Sequence, residues 1–581
     1  MTDDRMERLP YGIASFRQIR DEGLCYVDKT RFIEKLEALK SPYPFIVRPR
    51  RFGKTLFTRL LEAYYDQAAA PRFEDDFRGT YIDEHRTAGQ GQYCVLHLDF
   101  SGLDENEVIP QFNTALWMGF KDFFRRYPTP GAEELLSDML REPEGMPARF
   151  MMRFVATAAD RVQGKLFIII DEYDQFANEL LAKDPDQFRQ VTGTGGFLKN
   201  FYTQIKKATD SSVASRVFIT GVTVVSLDSL TSGFSIANDI TRHPDFADLY
   251  GFTETELREL IDRALKQGVK GLTTEAIFTR MKDYYNGYRF SPQSPVTVFN
   301  ASMCLYYLQS LQETGKEPNP LLDKSVGVDI RKMDAILALG PRDYVAGVVK
   351  RVVEGKSVPF GGFPESISLQ DRSVLAPDDV LAILYYLGFL TLDKTDASAL
   401  ACPNRGILNQ FFLHYLRTQE NLPHFRVDDA ALAEVMKKLQ SGDLKAYLQF
   451  VADRMTAGAG LHAAAHFNEA CIQTAVKTVT NLTNFYRATE ETEALGVGYT
   501  DVLLTPTNKG PAYLLELKYL KPAVWQRLTS TERQAKLTET LVQAKAQLVR
   551  YAAAANIRAV PNLTKAAAVF VGTTLAAVED V

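Results

Sequence analysis

The 581 residues predict an α/β protein built from two mixed modules with helical sequence between them. Three observations carry that reading. Four short apolar runs alternate with helical pattern in the first half. A G-K-T triplet and a D-E pair stand at the ends of two of those runs. Two carboxylates and a lysine are spaced over a hairpin near the end. At about 150 residues per domain the chain has room for three or four domains, each with its own core. Hydrophobic residues are 46% and charged residues 24%, which excludes collagen-like, largely disordered and mainly membrane-embedded chains. The net charge of −5 excludes a wholly basic nucleic-acid packager, though not a local basic groove.

The apolar runs are Pro44–Val47, Val95–Leu98, Leu166–Ile170 and Val217–Ile219. Each is short, rich in β-branched or aromatic residues, and apolar on both faces, as strands of a helix-covered parallel sheet are. This module is expected to span 1–245. A helical lid over 246–330 follows, opened by Thr253 and Glu256 in capping-box spacing. Residues 331–455 read as mostly helical, broken at Gly340-Pro341 and over 355–364. Thr456–Gly460 is small and flexible and reads as a linker, so 456–581 forms the last module. The five cysteines, Cys25, Cys94, Cys304, Cys402 and Cys471, are scattered and odd in number, which fits buried hydrophobes in a reducing cytosol. No apolar leader opens the chain and no run of about 18 apolar residues occurs, so a cytoplasmic protein without a membrane span is expected.

Arg48-Pro49-Arg50-Arg51-Phe52-Gly53-Lys54-Thr55 follows the first strand and opens a helix. Only G-K-T of the phosphate-loop pattern G-x-x-x-x-G-K-[ST] is intact, because Arg48 stands where the first glycine belongs. Gly53 lets the backbone approach a phosphate, and the helix N-terminus offers free N–H groups to an anion. Lys54 would reach the β- and γ-phosphates and Thr55 would offer its hydroxyl to Mg²⁺. The third strand runs into Asp171-Glu172, the pattern of a Walker B element: Asp171 for the Mg²⁺ shell, Glu172 for the attacking water. A basic turn and a solvated strand end are the bland alternatives, but both motifs fall in register with one sheet. The strand at Val95 lies between them in sequence, as in ATPases that carry a catalytic glutamate. Thr220–Thr223, after the fourth strand, offers a polar γ-phosphate sensor or merely a strand end.

In combination, Gly12–Thr30 (with Y-V-D-K-T), R-P-R-R-F-G-K-T, I-I-I-D-E-Y-D, V-F-I-T-G-V and Y-N-G-Y-R-F resemble the bacterial AAA-ATPase-like family over roughly residues 8–300. Arg48 is usual in that family. The resemblance implies a P-loop sheet of the AAA/ASCE type, ATP and Mg²⁺ as cofactors, and Arg51, Gly53, Lys54, Thr55 and Asp171 as nucleotide or metal ligands. It also implies that Tyr26, Asp28 and Lys29 matter near the nucleotide; that they staple the N-terminal segment to the core is an equal alternative. Arg289 is the candidate lid arginine, against the alternative of a surface salt bridge.

Near the other end, Gly498–Leu504 and Ala512–Tyr519 read as strands around a turn at Thr507–Gly510. A hairpin centred between Asn508 and Lys509 puts Asp501 directly across from Glu516, with Lys518 on the same face. Val502, Leu504, Leu515 and Leu517 take the opposite face. Two opposed carboxylates are costly unless a cation lies between them. Their oxygens suit Mg²⁺ or Mn²⁺, with Lys518 on the nucleophile or the transition state. A Glu–Lys pair on an exposed strand is the bland alternative.

This D-x(14)-E-x-K set after a helix resembles the PD-(D/E)XK nuclease superfamily over about 456–575. That implies a nuclease fold and a nucleic-acid substrate, DNA in first place. Tyr499 stands where family members often have arginine. Glu469 on the preceding helix would add an acid to the metal, or is a lone exposed glutamate. Gln543, Gln547 and Arg550 form a stripe that would line a nucleic-acid backbone, or a solvated face. The expected function is therefore an ATPase joined to a metal-dependent nuclease. The alternative is a nucleotide-switched binding or signalling protein whose back module binds without cutting. Assembly into a homo-oligomer is left open.

Overall fold

The structure, a computed structural model, describes residues 7–102, 107–162, 164–192, 196–224, 233–265, 272–318, 321–323, 326–353, 355–364, 367, 374–418, 427–458, 468–483, 485–489, 493–494, 498–507 and 509–581. The chain forms two compact units, Met1–Ile407 and Leu408–Val581.

In the first unit, β1 (Pro44–Val47) runs into α1 (Lys54–Tyr65). The other strands are β2 (Cys94–Asp99), β3 (Leu166–Asp171), β4 (Ala214–Gly221) and β5 (Asn238–Asp239). All pairings are parallel and the sheet order is β2-β3-β4-β1-β5. The four expected strands are all present, with both faces buried. The strand at Val95 lies at the sheet edge; β4 is the one inserted in space between the two motif strands. Strand β5 is two residues long and carries no apolar run that could have signalled it. In the lid, α2 (Glu254–Ala264) begins with the expected capping box of Thr253 and Glu256, and α3 (Ala301–Thr314) is capped by Asn300.

The middle region divides between the two units. Helix α4 (Pro377–Tyr386) belongs to the first, with a small antiparallel sheet of Val358–Pro359, Thr391–Leu392 and Ala399–Ala401 that helical pattern had hidden. Helices α5 (Asp429–Gln440) and α6 (Leu444–Gly458) belong to the second. Thr456, Ala457 and Gly458 are the last turn of α6, so the expected linker is partly helix; Ala459 and Gly460 lie outside the described residues.

The second unit continues through α7 (Glu469–Asn481), β6 (Tyr486–Thr489), β7 (Val502–Pro506), β8 (Ala512–Leu520), α8 (Pro522–Trp525), α9 (Ser530–Ala552), β9 (Leu563–Val571) and β10 (Thr574–Asp580). Its sheet order is β10-β9-β8-β7-β6, with β8 and β9 parallel and the rest antiparallel. One face packs Val502, Leu504, Leu515 and Leu517 against Met436, Leu439, Leu448, Val451 and Met455 of α5 and α6, and against α7. The other packs Leu503 and Leu514 against Leu541, Ala544 and Leu548 of α9. Burying one such side chain contributes about 1.5–3 kcal/mol. Those five from α5 and α6 therefore match the ~5–15 kcal/mol total stability of a domain. A fragment starting at residue 427 is expected to melt cooperatively, and one starting at 456 to aggregate; circular dichroism and solubility check this. A cooperative melt from the shorter fragment would show that α5 and α6 are dispensable. Among the described residues, no helix is long and apolar enough to cross a membrane.

Candidate active sites

At the front site, Gly53 ends the loop at φ +96° with open space around it, so the glycine is needed for conformation and not for clearance. Arg51, a non-glycine, is also held at positive φ, +71°. Arg48 is buried. Its guanidinium donates to the carbonyls of Val47 (2.8 Å), Thr241 (2.6 Å) and Phe246 (3.0 Å) and lies 4.3 Å from the Phe290 ring centroid. The residue in the place of the first glycine is thus a strut tying the loop to the segment after β5.

Lys54 Nζ lies 3.2 Å from both the Arg48 carbonyl and Glu172 Oε1, and 3.3 Å from the Pro49 carbonyl. Glu172 is held at φ +51°, and its buried Oε2 has no hydrogen-bond partner. Asp171 ends β3 fully buried. Burial, and then the Glu172 charge, push its carboxyl above the usual range. The Thr58 hydroxyl, one turn past the half-buried Thr55, lies 2.9 Å from the Thr55 carbonyl and 3.3 Å from Asp171 Oδ2. Arg51, Gly53, Lys54, Thr55 and Glu172 line a cavity of about 300 Å³ whose remaining wall is mostly apolar, with Ile13 and Leu305 among it. Thr223 does not face the cavity; its hydroxyl lies 2.8 Å from Asp174 Oδ2.

Tyr26, Asp28 and Lys29 divide. Tyr26 lines the cavity, its hydroxyl accepting from the Lys29 amide at 3.4 Å. Lys29 also lines it, but its ammonium donates to Glu256 at 2.7 and 2.8 Å and to the Asp248 carbonyl at 2.9 Å. Asp28 accepts from the amides of Thr30 (2.8 Å) and Tyr81 (2.6 Å). The geometry of Asp28 and Lys29 is that of a staple. Arg289 is not brought to the cavity. Its guanidinium is spent on the carbonyls of Pro292, Ser294, Asp393 and Lys394, which ties the lid to the small middle sheet.

A support that sequence reasoning missed lies behind the loop. Gly388, just past α4, sits at φ +84°, and a Cβ there would lie 2.9 Å from Pro49 Cβ. Gly388→Ala is therefore expected to displace the loop and weaken binding of a fluorescent ATP analogue by at least about tenfold, while moving the melting temperature by only a few degrees. Unchanged affinity would show that the loop does not lean on this turn.

At the back site, Val502 pairs with Leu515, Leu503 with Leu514 and Leu504 with Tyr513, the register expected from the turn. Continued by one residue, it sets Asp501 across from Glu516. The expected strand 498–504 is broken, however: Gly498–Tyr499 pairs instead with Glu493–Ala494, and Asp501 sits in a bend at the mouth of β7. The Tyr499 side chain and Asn508 of the turn lie outside the described residues. Released from the ladder, Asp501 accepts from the Leu517 amide at 2.8 Å and from Gln473 Nε2 at 2.9 Å. Glu516 is 2% exposed; Oε1 lies 2.8 Å from Lys518 Nζ, and the buried Oε2 has no partner. Burial first and Asp501 second push its carboxyl up to about 7. Burial likewise raises Asp501. The acids beside Lys518 outweigh its desolvation and raise it.

Glu469 contacts Lys518 at 3.6 Å. Among the described residues no three His, Cys, Asp or Glu side chains gather to hold a metal, and the contact that Glu469 makes is with the lysine. The orphaned Glu516 oxygen facing a second carboxylate still fits a hard divalent cation, with Asp501 and Glu516 as its carboxylate donors. Of the polar stripe on α9, Gln547 turns inward with its Oε1 buried, while Gln543 and Arg550 are exposed. One turn on, the Tyr551 phenol, raised by burial, feels the charges of Glu516, Asp501 and Lys518. Tyr551 and Gln473 were missed; their only sequence signal is the i, i+4 spacing from Gln547 and from Glu469.

Residues 10–231 match the family model described as a predicted AAA-ATPase. Residues 467–580 match that of the PD-(D/E)XK nuclease superfamily. The chain carries an AAA-ATPase-like domain and a PD-(D/E)XK nuclease superfamily domain. The phosphate loop and the Asp171–Glu172 pair lie inside the first match, and Glu469, Asp501, Glu516, Lys518 and Tyr551 inside the second. A curated relative, an uncharacterized protein in the vnfD 5′ region of Azotobacter chroococcum mcd 1, is 28% identical over 302 residues, 51% of this chain and 51% of that protein. The chain thus spans about half the length of the curated relative it matches. The ATPase-like match stops before Thr241 and Phe246, which anchor Arg48, so the loop draws support from beyond the matched segment.

Proposed function

We propose that this protein hydrolyses ATP in its first unit and cleaves nucleic-acid phosphodiesters in its second, with Mg²⁺ or Mn²⁺. The front cavity supports the first half: Lys54 and Glu172 both line it, where Lys54 would meet the phosphates and Glu172 would take the proton of an attacking water. The observation that carries the second half is the orphaned, buried Glu516 carboxylate oxygen set across from Asp501 with Lys518 alongside. A divalent cation held by Asp501 and Glu516 would supply charge for the phosphate and acidify water. Lys518 then stabilises the negative charge that develops on the phosphate, and Glu469 and Gln473 hold Lys518 and Asp501 in place. DNA is the first substrate to test, and the cytoplasm the compartment.

The deciding experiment is nicking of supercoiled plasmid with Mg²⁺, with and without ATP, by wild type and Asp501→Ala. Nicking lost in the variant is expected. A second reading, a nucleotide-switched protein that binds without cutting, is favoured by the two-carboxylate donor set. It requires ATP-dependent binding with no nicking by wild type.

A further inference from the structure

Past Glu516 the chain changes its charge. Residues 517–572 hold nine Lys or Arg and two acids, in a chain of net charge −5. Both acids are occupied. Glu532 closes the capping box of α9 with Thr529, and Glu539 pairs with Lys536 at 2.9 Å. Lys521 and Arg527 are exposed, and their side chains make no hydrogen bond or ion pair among the described residues.

Between these two cations stand apolar groups that a solvated turn does not call for. Val524 is 57% exposed. Trp525 is half-buried, with the Arg533 guanidinium 5.9 Å from its ring centroid and Arg533 Nε donating to its carbonyl at 3.0 Å. The root of the turn is fixed to the sheet. The Gly572 amide donates to the Leu520 carbonyl at 3.1 Å, and a Cβ at Gly572 would lie 2.9 Å from Pro522 Cγ. A rigid aromatic face flanked by unpaired cations is the composition of a single-strand platform: bases stack on the ring and cations follow the backbone. A duplex keeps its base faces stacked inside and cannot use an indole this way. Lys521 follows Lys518 by three extended residues, roughly 10 Å. A nucleic-acid strand advances ~3.4 Å per nucleotide, so Lys521 lies about three nucleotides from Lys518, the lysine beside the carboxylate pair.

We propose that the turn Lys521–Arg527 is a single-strand-binding platform of the nuclease-superfamily domain, with Lys521 and Arg527 on the phosphates and Trp525 under a base. It rests on the nuclease reading and adds the class of substrate: nucleic acid with an unpaired strand next to the cleaved bond.

The test uses the full chain in EDTA. Only two tryptophans occur, so Trp117→Phe leaves Trp525 as the sole indole. In that background a single-stranded oligonucleotide is expected to quench fluorescence and to bind more tightly than its duplex. With intact Trp117, Lys521→Glu/Arg527→Glu is expected to weaken single-strand binding at least about tenfold and to reduce the salt slope by about 1.4, at ~0.7 per phosphate contact. Trp525→Ala should weaken it about 5- to 100-fold, with Trp525→Phe close to wild type. Arg141→Glu, an exposed side chain at a helix end of the first unit, should change nothing. Melting curves of each variant confirm folding. Duplex binding that is tighter, or no quenching, overturns the proposal. So does unchanged binding by the charge-reversed variant of a protein that still nicks plasmid, which leaves the nuclease reading standing. A wild type that neither binds nor cuts removes the nuclease reading itself.

Discussion

Glu516→Gln is expected to abolish metal-dependent cleavage and, without metal, to be more stable than wild type at pH 8. The loss of cleavage follows from removing one of two carboxylate donors, on the ~10²–10⁴-fold scale of a positioned catalytic group. The stability gain follows from linkage. Glu516 titrates near 7 when folded and near 4.5 when unfolded. Between those values the folded chain keeps a proton that the unfolded chain has released, so stability falls as pH rises through that window. At about 1.36 kcal/mol per unit the fall totals roughly 3 kcal/mol, and it is complete above pH 7. Glutamine does not titrate and escapes it, while its amide oxygen still faces Lys518. Urea denaturation of both proteins in EDTA at pH 5 and pH 8 reads the effect directly. Saturating Mg²⁺ should stabilise wild type at pH 8 and leave Glu516→Gln nearly unmoved, because only the folded wild type offers the paired donors. An identical pH dependence in the two proteins would mean that Glu516 is not held protonated by its surroundings. Equal Mg²⁺ shifts would mean that the carboxylates share no cation.

Lys54→Ala and Glu172→Gln should part company at the front site. The first removes the only ammonium on the loop and is expected to weaken ATP binding at least about tenfold and to end hydrolysis. The second removes the base, and hydrolysis should fall about 10²–10⁴-fold. Its effect on binding has the opposite sign. Lys54 and Glu172 lie 3.2 Å apart, so a phosphate must compete with the carboxylate for the lysine. Neutralising Glu172 frees Lys54, and the variant should hold ATP more tightly than wild type. A filter-binding assay with labelled ATP, beside a phosphate-release assay, separates affinity from turnover. Wild-type hydrolysis by Glu172→Gln would remove the Walker B assignment.

Much of both sites is local, and local chemistry is what a sequence states. Gly53-Lys54-Thr55 adjoins its own strand and helix, and the Asp171–Glu172 pair ends an apolar run, so each motif declares its setting within a few residues. The Asp501–Glu516 opposition was also legible, because a short turn and the two-residue period of strands determine which side chains meet. The α/β class, both motif sets, their order along the chain and the register of the back hairpin are therefore legible in the residues alone.

Whatever depends on distant partners came from the packing of the fold. Arg48 stood only as a departure from the first glycine of the loop until carbonyls almost 200 positions away claimed its guanidinium. Arg289 and Lys29 likewise carry cations that suit a phosphate, but a long flexible side chain takes whatever acceptor the fold brings, and here those are carbonyls and Glu256. Sequence left Glu469 between a metal acid and a lone exposed glutamate; packing sets it beside Lys518, because a helix sets spacing along its own face but not the depth at which it meets a sheet. The division of the middle region has the same origin. The apolar stripes of α4, α5 and α6 say that each must bury a face, and only packing says which sheet receives it: α4 goes with the ATPase-like unit, and α5 and α6 with the nuclease-superfamily sheet.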